Sequence, residues 1–175
     1  MKKSLLGIMV FLAVTGLFVA KVTAVSDPAA VVDTLTVTVN EVCTFTRTSG
    51  SGTYTASMQP NKTNMTLGTS EFTAICNSEN GYQVVAAFTA LTGSVNGSIP
   101  YTASKPTTST KRWTAVLGAS SSTTYMATSN AKLMDTDGPD DTDGTVQAVS
   151  YKVSTGGGLS AGTYTGTATY TLSQK

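Results

Sequence analysis

A chain of 175 residues with eleven basic and ten acidic side chains is close to neutral, and it contains no histidine and only two cysteines. Near-neutrality argues against nucleic acid, whose binding rests on neutralising phosphates. The missing histidine removes the commonest general base with the Ser-His and Cys-His arrangements, and two thiols alone fall short of a zinc site.

Met1-Lys2-Lys3 is a short basic start, and Leu5 to Ala20 follow without a charge. Val22-Thr23-Ala24 then places small residues where a signal peptidase reads, so residues 1–24 are expected to be a cleaved signal peptide. An apolar run of this length is short of the roughly 20 residues that a spanning helix wants. Cleavage removes Lys2, Lys3 and Lys21, leaving eight basic against ten acidic side chains, a net charge of about −2. No second apolar run follows, so no membrane span is expected after cleavage, and the product is exported to the periplasm, cell surface or medium. In that oxidising setting Cys43 and Cys76 most simply pair, closing a loop of about 34 residues.

Residues 25–33, with Val31, form an extended leader, and the β-domain is expected over 34–175. The chain holds 33 Thr and 19 Ser, and Thr suits a half-solvated pleated surface. Leu35, Val37 and Val39 alternate with Thr34, Thr36 and Thr38, which predicts a first strand over 34–47. Further strands are expected at 53–58, 70–76 and 82–89, the last with Tyr82, Val84, Ala86 and Phe88 on one face. Others follow at 98–102, 111–117, 123–128, 145–153 and 163–172. The final one carries Thr at every odd position, with Tyr164, Gly166, Ala168, Tyr170 and Leu172 between them. Turn signals at Thr48 to Gly52, Asn77 to Gly81, Asn96-Gly97, Lys105-Pro106 and Gly156 to Gly158 separate these runs. This pattern predicts an all-β sandwich, with Trp113 as a core anchor.

Between the eighth strand and the one before it, Asp135, Asp137, Asp140, Asp141 and Asp143 crowd into nine positions around Gly138 and Gly144. Alternating Asp on a Gly-bent loop fits one calcium ion, and a solvated acidic hairpin loop between two strands is the plainer reading. No cofactor is required, and no constellation for catalysis is present, so the chain is not expected to be an enzyme.

Three segments together carry a resemblance. Thr34 to Cys43, with its alternating Thr/Val strand ending in Cys, resembles the first strand of chaperone–usher pilin subunits and spore coat protein U domains. Phe72 to Cys76 with Gly81-Tyr82-Gln83-Val84 resembles their second Cys strand, and Ala161 to Thr167 their closing strand. Two features depart from the pilin pattern: Gly166 replaces the usual Asp, and the aromatic that is usually next to last is Tyr170, five residues before the terminus. The resemblance implies an immunoglobulin-like (pilin-like) β-sandwich that lacks one strand. It also implies partners, either a periplasmic chaperone or neighbouring pilin-like subunits, that fill the groove by β-strand addition. Residues 25–33 and the Val31, Leu35, Val37, Val39 face would then be the donor. The Tyr164 to Ser173 ending also resembles WxL cell-wall-binding domains, although no Trp-x-Leu pair is present. That likeness implies the alternative, a monomeric cell-wall-binding module, and the acidic loop offers another, a calcium-dependent adhesin for host glycans.

Overall fold

The computed structural model describes residues 34–94, 97–107, 110–140 and 143–175. The expected signal peptide 1–24, the expected leader 25–33 with Val31, and Asp141 lie outside those residues. Two compact units divide the chain, Met1–Thr38 and Val39–Lys175. The second carries ten strands and, among the described residues, no helix.

The strands are β1 (Cys43–Ser49), β2 (Met65–Cys76), β3 (Tyr82–Phe88), β4 (Leu91–Gly93), β5 (Ser98–Ile99), β6 (Arg112–Leu117), β7 (Ala131–Asp135), β8 (Thr145–Ser154), β9 (Tyr164–Thr165) and β10 (Ala168–Gln174). One sheet has the order β1-β2-β8-β6, a second β10-β3-β7, and a small third β5-β4-β9. Every ladder within them is antiparallel. All-β structure and the disulfide are therefore as the sequence predicts.

Period-two patterning builds the core. Phe72, Ala74 and Cys76 of β2, Trp113 and Ala115 of β6, and Val149, Tyr151 and Val153 of β8 point to one side of the first sheet. Tyr82, Val84 and Ala86 of β3 with Leu133 and Met134 of β7 enter the same cluster from the second. Trp113 is buried, and its indole N–H donates to the Thr89 carbonyl at 3.0 Å, which supplies the partner a buried indole needs. β8 is buried on both faces: Ser150 bonds Thr69 and the Gly118 carbonyl, and Ser154 accepts from the Asn64 amide. Those bonds satisfy hydroxyls that burial would otherwise penalise.

The structure redraws four of the expected strands. Residues 34–42 carry no strand, and β1 begins at Cys43. Residues 53–58 are a loop, pinned by Tyr54, whose hydroxyl donates to the Thr69 carbonyl at 2.6 Å and whose ring packs on Tyr151. Residues 123–128 make one bridge, Tyr125 to Val116, and the strand nearby is β7 instead. The closing strand is two: β9 pairs with β4, β10 with β3. Gly166 sits at that transfer, where a Cβ would come within 2.8 Å of the Ala90 carbonyl oxygen, so only glycine fits.

Burial also sets a limit at high pH. Tyr101, Tyr151 and Tyr170 have hydroxyls whose pKa is raised chiefly by desolvation. In the unfolded chain they ionise near pH 10, while the folded state keeps them protonated. Their stabilisation is complete below about pH 10 and is lost as the pH rises beyond it. The expected result is a melting temperature that falls above about pH 10, with the tyrosinate absorbance of these three appearing together with unfolding rather than before it.

Candidate strand-accepting cleft

Among the described residues β1 pairs in a ladder with β2 alone and β10 with β3 alone, so each ends its sheet with one edge outside any ladder. Among the described residues no ladder joins them, yet they line the two sides of one cleft of about 460 Å³. Phe45 and Arg47 come from β1, Phe72 from β2, and Ala168, Thr169 and Tyr170 from β10. At one end the Gln174 side-chain amide donates to Cys43 Sγ at 3.3 Å, while Arg47 stands at the other, near Ala168. The two edges therefore run in opposite senses, and an inserted strand would be antiparallel to one and parallel to the other.

Aromatic rings make the floor. Phe72 lies 4.5 Å from Tyr170 and 5.5 Å from Phe45, centroid to centroid. Tyr170 shares a 3.0 Å hydrogen bond with the Tyr151 hydroxyl, which ties the floor to the core. The Arg47 guanidinium, itself exposed, stands 5.8 Å from the centroid of the buried Phe72 ring, a cation over an aromatic face.

The outer edges of β6 and β7 are protected. β6 bonds segment 100–102 through Trp113 N–H to the Pro100 carbonyl at 3.0 Å and Thr102 N–H to the Trp113 carbonyl at 2.9 Å. Leu117 and Met126 amides close its other end, each at 2.9 Å. β7 is five residues long and carries Lys132 and Asp135, charges that discourage edge pairing. The β1–β10 gap has apolar rings and a single cation instead.

The cysteines form the disulfide, with Cα atoms 4.1 Å apart and Cys43 directly opposite Cys76 in the β1–β2 register. Just before β1 the Asn77 side chain grips the chain. Its Oδ1 accepts from the Val42 amide at 2.5 Å, and its amide donates to the Asn40 carbonyl at 2.9 Å. Preceding that grip, Leu35, Val37 and Val39 are 90%, 86% and 77% exposed, so the apolar row that reads as a first strand is not buried.

Asp135, Asp137 and Asp140 have partners within the chain. Lys132 and Lys175 both bridge Asp135, Lys175 at 2.6 Å, and Lys175 also reaches Asp137 at 2.7 Å. Asp140 accepts from the Cys76 amide at 3.1 Å and the Thr145 hydroxyl at 2.9 Å, binding the loop to the disulfide strand. Among the described residues no three acidic or cysteine side chains converge as a metal site. A calcium ion would compete with these lysines and donors for the same oxygens. The stretch links the two sheets, from β7 to β8, and so is no hairpin.

Lys132 first, then Lys175, hold the Asp135 carboxyl below its ordinary pKa. The interaction is present above the unfolded carboxylate pKa and disappears as the pH falls through the folded one. NMR titration should show Asp135 ionising at lower pH than a free carboxylate, and Lys132→Met should move it upward more than Lys175→Met.

The cleft residues Phe45, Arg47, Phe72 and Tyr170 were not singled out as a site by the sequence. One signal existed: Phe45 and Arg47 are in phase with Cys43, and so on the inward face of its strand. No family model, curated protein or solved structure matches this chain.

Proposed function

We propose that this protein is an exported, non-enzymatic cell-surface subunit with an immunoglobulin-like sandwich lacking one edge strand, which assembles by noncovalent β-strand addition. One observation carries the reading: an aromatic cleft lies between two unpaired strand edges, and an exposed, alternating apolar segment precedes β1. The first has the shape of a missing strand, and the second has the pattern of one. Strand addition joins them, with main-chain hydrogen bonds giving affinity and alternate side chains giving register. A chaperone that presented an extended strand would fit the same cleft before assembly.

Changing Leu35, Val37 and Val39 together to Asp tests this cleanly, because side chains this exposed contribute little to the domain that carries them. The wild-type exported chain should form higher species as concentration rises in sedimentation velocity, and the triple variant should stay monomeric with an unchanged melt. A wild-type chain that sediments as a monomer throughout would leave the protein as a self-contained surface module.

A further inference from the structure

We propose that Arg47 sets the register of assembly by pairing with Glu41 of a second copy of this chain, an inference that rests on the strand-addition reading above. In an extended strand Leu35, Val37, Val39 and Glu41 share one face, because side chains alternate with period two. Cys43, Phe45 and Arg47 share the inward face of β1 in the same way. Each row is apolar until its last member, which is charged, and the charges are opposite. Val39 beside the Phe45 and Phe72 rings therefore brings Glu41, one step further along, beside Arg47.

That match requires the incoming strand to run parallel to β1 and antiparallel to β10. The ladders favour the same direction. β10 pairs with β3 in unbroken register over seven residues, whereas β1 has an irregularity between Arg47 and Ser49. The regular edge is the better template, and antiparallel pairing is the more stable kind. Among the described residues Arg47 is the one charged residue lining the cleft, and an arriving carboxylate would find it exposed and still solvated. A strand with no acid at that position would leave a cation beside buried rings uncompensated, so the pair selects one offset among several that the apolar row alone allows.

The experiment uses the exported full chain in three forms: wild type, Glu41→Arg and Arg47→Glu. Glu41 is exposed, and retained disulfide and circular dichroism would verify that each variant folds. Each variant alone places like charges together, so its self-association should weaken by roughly tenfold or more. Mixing the two variants restores opposite charges in both directions, position 41 of each variant meeting position 47 of the other. Sedimentation of the mixture should therefore recover assembly near wild-type affinity, with the two variants in equal proportion. Self-association of the single variants at wild-type strength would overturn the pairing while leaving strand addition standing. Weakened variants that fail to recover on mixing would overturn it as well, as would sensitivity that moves to Asp33→Arg, the signature of a strand entering in the reverse direction. A monomeric wild type would instead remove the strand-addition reading itself.

Discussion

Grafting Thr34 to Val42 behind Lys175 through a short flexible turn should raise the melting temperature by about 10 °C or more. The geometry favours this graft. β10 ends beside Cys43, so a strand turning back from there runs antiparallel along the free β10 edge and parallel to β1. It would cover Phe45, Phe72 and Tyr170 with Leu35, Val37 and Val39 side chains. Burying one such side chain fully contributes about 1.5–3 kcal/mol, and each new backbone hydrogen bond adds about 0.5–1.5 kcal/mol net. Ordering the segment costs about 1–2 kcal/mol per residue and offsets most of this, so the net gain is the small remainder. Calorimetry of the grafted chain reads the result directly. The same graft with Val37→Asp should lose most of the gain, since it would bury an unpaired charge against the rings. An unchanged melt for the intact graft would show that the two edges are not a strand site.

The sequence revealed the phase of most elements better than their partners. In 163–172 the alternation correctly places Tyr170 and Leu172 inward, and nothing local marks the transfer from β9 to β10. That break exists because the Ala90 backbone crosses close to Gly166, a contact between residues far apart in the chain. Residues 34–42 show the same limit from the other side. Period two identifies which face of an extended segment is apolar, but it carries no information on whether a partner lies in the same chain.

β7 escaped notice for a different reason. Ala-Lys-Leu-Met-Asp has no β-branched residue and buries Leu133 and Met134 in succession, so it breaks strict alternation. Its place comes from pairing with β3, which shifts register between Val84 and Val85. The acidic loop likewise reads locally as a cation site. Lys175, which bridges Asp135 and Asp137 from about 40 residues away, has no signature in that stretch. The cleft needed both sheets to be visible. Cys43, Phe45 and Arg47 could be phased from the sequence, but their position across from Ala168 to Tyr170 is a property of the fold.

The disulfide has the other large expected effect. Replacing Cys43 and Cys76 together with Ala should lower stability by about 3–4 kcal/mol, following the chain-entropy cost of releasing a loop of this size. Alanine is the better choice because Cys76 is 1% exposed, where a serine hydroxyl would be buried without a partner. The loss should be uneven. β2 is held on its other side by β8 over nine paired positions, whereas β1 has β2 as its sole strand neighbour. Without the covalent link, the start of β1 rests on the Asn77 grip and on its ladder to β2, so its amides should exchange with solvent well before those of β2. Because β1 forms one wall of the cleft, fraying it should also weaken binding of a Thr34 to Val42 peptide by more than the global loss would suggest. Hydrogen exchange resolved by strand, set beside a denaturant melt, checks both statements. Equal protection of β1 and β2 in the alanine pair would show that the disulfide stabilises the whole domain without acting on the cleft. An unchanged melt would mean that the bridge adds nothing to stability.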